Sequence, residues 1–458
     1  MSLQESDRLV IFGIMGDLAR KMTLPALYHL ERRGLLHVPV IVTARRDMTA
    51  EEIIAHTHDC VMAVEGAVDE DIFDRLSKRI TYVRGDMDDE ELYSDLATVL
   101  KGSVAPTFYL EVPPEWFVTV AQMLNKQGLT DGDARLIFEK PFGTSLQTAT
   151  ELNQQLHAFL REEQIFRIDH YLGKEPVQDI PYLRFGNAFF EPMWNSHYVD
   201  SIMVTMAENF GVEDRGAFYD KVGAIRDVVQ NHLLQLTALT AIEPPTGDLT
   251  VPRQDLFRSI PDADPAHMVR GQYIGYQDIK GVAPGSTTET FVALRIEIDS
   301  WRWGGTPVLI RAGKNLPVKA TEVVVRLKKI PKVYIGGRLR QIRGYDDIVL
   351  RLGSDPGVDL AIRVKSPGED AVEPVNLRVD FKTALGEMPE PYEVLLSDAI
   401  AGNKALFPDE RTIEETWRIV QPLLDDPVPP LPYEPGSWGP EAANEIAAPY
   451  GGWREPTA

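Results

Sequence analysis

The hydrophobic pattern of this chain changes period near residue 170, which rules out one uniform layer of structure. Before that point, apolar runs of strand length alternate with helical stretches. RLVIFG at 8–13, VPVIVTA at 38–44, TFYLEV at 107–112 and RLIFEK at 135–140 read as strands. A turn and helix closed by Gly34, and a helical pattern over 115–128, lie between them. Short apolar strands separated by helices build a parallel sheet covered on both faces. Past residue 170 one long apolar helix, 221–242, is followed by strands of period two. In TETFVALRIEID, Val292, Leu294, Ile296 and Ile298 share a face, as do Val323, Val325 and Leu327 further on. IVLRLG, VDLAIRV and VNLRVDF continue the series without long helices between them, which implies a mainly antiparallel sheet. The expected fold class is an α/β Rossmann-type doubly wound domain over 1–170, followed by a larger α+β domain with a mainly antiparallel sheet over 171–458.

A length of 458 residues is too great for one ordinary core and agrees with that division. With 44% hydrophobic and 25% charged residues, and no apolar run of bilayer length, the chain is expected to be soluble, with no membrane partner. MSLQESDRL carries no secretory pattern, and the single Cys60, placed on the helix after residue 45, can form no internal disulfide. A cytoplasmic protein without a metal centre is expected. The net charge of −22 argues against a nucleic-acid partner, which would need a basic stripe. An anionic substrate would need a locally basic site against that field. The proline-rich PVPPLPYEPGSWGP tail, 427–440, reads as irregular and pinned by Tyr433 and Trp438, and IGGRLRQIRG, 335–344, as a solvated hairpin.

Three places carry chemistry. Gly13, Gly16 and Ala19 occupy the small positions of a G-x-x-G-x-x-A turn between the first strand and helix. Such a turn brings a pyrophosphate to backbone N–H groups and a helix N-terminus. After the second strand, Arg45 and Arg46 stand where many NAD enzymes carry an acid, which suits a 2′-phosphate, though Arg46 can instead pair with Asp47. At the end of the fourth strand, EKPFG sets Lys140 at the carboxyl edge where open α/β sheets bind ligands, and Pro141 stiffens the turn, with a cis bond as one option. The run Asp169-His170-Tyr171-Leu172-Gly173-Lys174 joins an acid to three groups that can hold a small anion, with a glycine where backbone must come close. On the long helix, Asp227, Asn231 and His232 form a polar arc among apolar residues, costly unless it faces a pocket.

With these motifs in view, the chain resembles the glucose-6-phosphate dehydrogenase family along nearly its whole length. The likeness is carried by GIMGDLARK, EKPFG, RIDHYLGKE, RDVVQNHLLQ, VRGQY, STTETFVALRIEIDSWRW, RAGKNLP and SWGP. It implies oxidation of β-D-glucose 6-phosphate to 6-phosphoglucono-1,5-lactone with reduction of NADP, by a homodimer or dimer of dimers. It also implies roles. His232 resembles the general base, and Asp169 the carboxylate that orients it. His170, Tyr171 and Lys174 resemble the 6-phosphate grip, and Glu208 and Asp227 the acids on the sugar hydroxyls. Lys314 and Lys319 resemble further substrate contacts that supply positive potential. Gly13, Gly16, Asp17, Leu18 and Arg45 fall in the cofactor motifs, and Lys140 reaches both cofactor and substrate.

The chain departs from the family at several positions. Met15 and Met22 replace polar or basic residues near the nucleotide turn, which leaves Arg45 and Arg46 for a 2′-phosphate and makes use of NAD credible as well. Ala320 stands where an extra structural NADP would need a lysine, so no second dinucleotide is expected, and Gly353 replaces a glutamine that touches substrate in some members. Two other readings compete: a dehydrogenase of unphosphorylated aldoses, and a catalytically silent relative kept as a regulatory or binding subunit.

Overall fold

Residues 3–335, 338–340, 344–368, 371–426 and 428–456 are described by a computed structural model. The chain forms two compact units. Residues 1–175 with 389–414 make the first, and 176–388 with 415–458 the second.

The first unit is built on six parallel strands, β1 (Arg8–Phe12), β2 (Val40–Ala44), β3 (Ile80–Arg84), β4 (Pro106–Leu110), β5 (Arg135–Phe138) and β6 (Ile165–Arg167), in the order β3-β2-β1-β4-β5-β6. The order reverses beside β1, which opens the ligand crevice of a doubly wound sheet at the carboxyl ends of β1 and β4. Alternate residues of β1 serve opposite cores: Leu9 and Ile11 pack with the helix Leu24–Arg32, and Val10 and Phe12 with the helix Phe117–Lys126. Thr49 and Glu52 close a capping box at the start of the helix Ala50–Glu65, which carries the buried Cys60. The returning segment 389–414 supplies the helix Pro391–Ala401, whose Tyr392, Leu395, Leu396 and Ile400 complete the first of these cores. Buried Arg135 donates to Ala399 O at 2.9 Å and ties the return to the sheet.

The second unit holds a nine-stranded sheet of β7 (Val199–Ala207), β8 (Met268–Tyr273), β9 (Phe291–Ile296), β10 (Val308–Gly313), β11 (Ala320–Leu327), β14 (Asp347–Arg351), β15 (Gly357–Lys365), β16 (Val372–Asp380) and β17 (Leu431–Tyr433). Its order is β16-β15-β14-β11-β7-β10-β9-β8-β17, antiparallel except at β7/β10 and β8/β17. A separate hairpin pairs β12 (Val333–Ile335) with β13 (Arg338–Arg340), and the remainder of the expected hairpin, 336–337 and 341–343, lies outside the described residues. The tail corrects the sequence reading. Despite its prolines, Leu431–Tyr433 pairs with β8, which is tolerated because β17 is an edge strand and needs fewer donors. Tyr433 is buried, and Trp438 packs on the same cluster. Among the described residues no helix is long and apolar enough to cross a membrane.

Candidate active site

In the first unit the glycine turn, Gly13–Gly16, directly follows β1. Gly13 has φ +86°, and a Cβ there would lie 2.3 Å from Glu111 O, so glycine is required by both conformation and space. Gly16 N donates to Gly13 O at 2.8 Å and closes the turn. Exposed Gly16 and Asp17 and half-buried Leu18 lead into a π-helical turn, Ala19–Thr23, that continues as the helix Leu24–Arg32. Backbone exposed at a glycine turn before a helix start fits a dinucleotide pyrophosphate.

Arg45 and Arg46 are exposed just beyond β2, and the Tyr82 hydroxyl meets the carbonyls of Ala44 and Arg46 at 2.9 and 2.5 Å, fixing the backbone there. Asp47 pairs with Arg84 at 3.0 Å rather than with Arg46. The sequence reading overlooked Arg20, whose charge, like that of Arg46, acts on His56 and with burial holds that imidazole below its ordinary range. Its signal was the basic pair Arg20-Lys21 one turn after the glycines. Met15 and Met22 pack against the apolar core.

Lys140 follows Glu139 at the end of β5, and the Lys140–Pro141 bond is cis. β6 delivers the DHYLGK run. Asp169 is buried and its Oδ1 accepts from Tyr171 N at 3.0 Å, which fixes the carboxylate at the mouth of the turn. The Lys174 ammonium stands 3.9 Å from the centre of the Tyr171 ring, and the His170 ring meets Tyr171 edge-on at 5.1 Å. Gly173 has a packing reason: a Cβ would lie 2.6 Å from Pro391 O, so the close approach is by the returning helix.

In the second unit, strand register assembles the polar group. Ala207 of β7 faces Gly313 of β10 in parallel register and Ala320 of β11 in antiparallel register. The residues one step beyond, Glu208, Lys314 and Lys319, therefore emerge side by side. Lys314 Nζ lies 2.5 Å from Glu208 Oε2 and 3.8 Å from Asp227 Oδ2, while its carbonyl accepts from Tyr433 at 2.6 Å. Lys319 is exposed, and both ammoniums lie within 6 Å of the Phe210 ring (5.7 and 5.9 Å). Lys314 is thus the hub of an acidic pair.

Asp227 and His232 lie on a π-helical stretch, Ile225–Leu233, that runs into the helix Leu234–Ala241. Hydrogen bonding of i to i+5 stacks residues five apart, so Asp227 and His232 come to one side, with His232 only 2% exposed. Sequence reasoning missed the residue that anchors this stretch. Buried Glu289 accepts from Ile225 N at 2.9 Å, and a Cβ at Gly223 would strike its carboxyl at 2.5 Å. Its signal was a lone acid, Glu289, in the polar STTET run just ahead of an apolar strand.

Residues 10–179 match the family model of the glucose-6-phosphate dehydrogenase NAD binding domain, and 181–454 that of the C-terminal domain. The chain belongs to the glucose-6-phosphate dehydrogenase family. It is 47% identical over 455 residues to glucose-6-phosphate 1-dehydrogenase 1 of Mycobacterium tuberculosis and of Mycobacterium bovis, covering 98% of this chain and 97% of theirs. It is likewise similar to the crystal structure of the Mycobacterium avium enzyme, with 47% identity, 99% of both chains and a TM-score of 0.92. A glucose-6-phosphate dehydrogenase solved in complex with its substrate is 30% identical, with a TM-score of 0.92 over the whole of both chains. The family's fold is the one seen here, and its NAD binding domain implies a nicotinamide dinucleotide cofactor.

Proposed function

We propose that the protein oxidises β-D-glucose 6-phosphate at C1 to 6-phosphoglucono-1,5-lactone, with NADP preferred and NAD usable as hydride acceptor. The observation that carries this reading is the convergence of Glu208 and Asp227 on Lys314 beside a π-helical stretch that also presents His232. Such a group of charges is wasted in a silent relative and suits the hydroxyls of a sugar.

The dinucleotide, when bound, supplies the hydride acceptor. His232 takes the proton of the C1 hydroxyl as the C1 hydrogen leaves as hydride and the C1–O bond becomes a carbonyl. Asp169 is its partner carboxylate, a role carried by the RIDHYLGKE motif, and stabilises the imidazolium that forms. Glu208 and Asp227 accept from sugar hydroxyls while Lys314 holds the two acids apart from each other's charge. His170, Tyr171 and Lys174 take the 6-phosphate, Lys319 adds positive potential, and Lys140 serves both ligands.

Preference for NADP rests on Arg45 and Arg46, exposed at the end of β2, with Arg20 close to the same place. The methionines at 15 and 22 bring no charge to a 2′-phosphate, which leaves room for NAD. We assign the protein to the cytoplasm, on its single unpaired cysteine. A homodimer, or a dimer of dimers, is supported by apolar side chains exposed on β15 and β16.

The test is initial-rate formation of NADPH and NADH from glucose 6-phosphate, with glucose as control and with the His232→Asn variant alongside. We expect higher kcat/KM with NADP, little activity on glucose, and loss of turnover in the variant with sugar-phosphate binding retained by calorimetry. Absence of turnover with either cofactor would leave the silent-subunit reading, and turnover surviving in His232→Asn would mean that another group is the base.

A further inference from the structure

Beneath the carboxyl edge of the first sheet lies a cluster that none of these steps uses. Glu111 follows β4 and Glu139 follows β5, and the parallel register Leu110 to Phe138 makes the two acids neighbours across strands. Tyr109 donates to Glu139 Oε1 at 2.7 Å and also faces Glu111. Tyr392, from the returning helix, donates to Glu139 as well, and Thr23 Oγ1 donates to Glu111 Oε1. Glu111 Oε2 is buried with no hydrogen-bond partner among the described residues. The charged groups acting on the cluster are Lys140, beside Glu139, and Asp169, whose charge reaches Tyr392.

Two adjacent carboxyls withdrawn from water resist double ionisation. Hydroxyl bookkeeping then says where the remaining proton sits. Tyr109 has one proton and gives it to Glu139, which leaves Glu111 with the Thr23 donor on one oxygen and its buried Oε2 without any, so Glu111 is the carboxyl better kept neutral. Glu139, with two tyrosine donors and the Lys140 charge nearby, is the better carboxylate. Burial raises Glu111 to about 8, opposed by the Thr23 hydroxyl, helped by the Glu139 charge and opposed again by the nearby Tyr109 hydroxyl, and burial raises Glu139 to about 7. The cluster also touches the cofactor turn. Thr23 lies on the helix that follows the glycines, and the Glu111 carbonyl occupies the space a Gly13 Cβ would need.

We propose that Glu111 and Glu139 hold a single proton between them, kept on Glu111, and that this one-charge pair positions Lys140 and the nucleotide turn for the dinucleotide. Loss of the proton puts a second negative charge under the turn that receives the pyrophosphate, and dinucleotide binding weakens. Glu111 and Glu139 are positioning residues, acting through Lys140 and the turn. The inference rests on the Gly13–Gly16 turn being the cofactor site.

The experiment is calorimetric binding of NADP and of NAD to the intact protein, without sugar, from pH 7 to 9.5. NAD is the control because it has no 2′-phosphate to titrate. Wild-type Kd should rise about tenfold for both over this range, whereas Glu111→Gln, fixed neutral, should stay flat. Glu139→Gln should weaken binding at every pH. A Glu111→Gln profile parallel to wild type would overturn the proposal. If neither dinucleotide binds at any pH, the reading of the turn has failed instead, and infrared spectroscopy still decides on the proton. Wild type should lose the carbonyl band of a protonated carboxylic acid over the same range, and a band that persists, or none at the start, refutes the shared proton. That measurement needs no variant and holds even if Glu111→Gln does not fold.

Discussion

At the scale of single residues, the two lysines assigned to substrate do different work, and kinetics can separate them. Lys174 lies over the Tyr171 ring in the run proposed to hold the phosphate, while Lys314 is committed to Glu208 and Asp227. Lys174→Ala should raise KM for glucose 6-phosphate by about 10- to 100-fold, the worth of a charge-assisted hydrogen bond, and leave the weak activity on glucose nearly unchanged. Lys314→Met should raise KM for both sugars by a similar factor, because the acids it organises are proposed to hold hydroxyls common to both. Equal effects of Lys174→Ala on the two sugars would remove it from the phosphate grip. Lys174 stands out in the sequence because DHYLGK crowds mixed polar chemistry into a few positions, as RDVVQNH does around Asp227 and His232. The pairing of Lys314 was not legible, since it depends on β7 and β10 ending level, a register set across more than a hundred residues. Gly173 was flagged for close approach, and the structure gives the neighbour as the helix that returns at Pro391.

At the scale of elements, periodicity revealed strands whose apolar pattern is regular and missed those where it is short or interrupted. β1, β2, β4 and β5 read clearly, whereas β3 buries only Val83 at the sheet edge and β6 has three residues, too few for a pattern. β7, the strand that positions Glu208, is buried on both faces, yet Asp200, Ser201 and Thr205 interrupt its apolar run. The π-helical turns are invisible to composition because they change hydrogen bonding and not residue type. One contact between helices carries a pH prediction. His29, on the helix Leu24–Arg32, meets Glu393 at 2.8 Å and Glu65 at 2.9 Å, joining it to the helices Pro391–Ala401 and Ala50–Glu65. The Glu393 hydrogen bond, against burial and with help from Glu65, holds the imidazole above its ordinary 6.5, and Glu393 is held below its ordinary 4.5, where burial is outweighed only by the His29, Glu390 N–H and Arg33 interactions together. A raised histidine contributes stability that is complete below about pH 6.5 and is lost as pH rises through the folded value. The depressed acid contributes above pH 4.5 and is lost as pH falls through its own. His29→Leu should therefore cost about 3 kcal/mol near pH 6 and clearly less at pH 9, read from urea midpoints. A cost independent of pH would mean that His29 acts by packing alone.

At the scale of the whole molecule, the sequence showed the change of architecture but not that residues 389–414 return to the first unit, because a buried helix looks the same whichever core receives it. It also did not show that the nine-stranded sheet ends with its apolar side uncovered. Ile362 and Val364 of β15 and Val375, Leu377 and Val379 of β16 share one face by register, each 39–50% exposed, at the sheet's outer edge. A chain of net charge −22 repels its copies, so any self-association must be driven by apolar burial and should tighten with added salt. This face is where we propose it, because an uncovered apolar surface on an edge strand is what proteins in water otherwise avoid. Replacing Ile362 and Leu377 together by lysine should yield a monomer by sedimentation equilibrium at low and high salt alike. Unfolding should then lose its dependence on protein concentration while the monomer's own stability changes by less than about 0.5 kcal/mol per site, because the substituted side chains are already solvent-exposed. A double variant that still dimerises with wild-type affinity would put the interface elsewhere. One that dimerises only at high salt would show that the lysines act by charge alone and that these side chains lie near the contact without forming it.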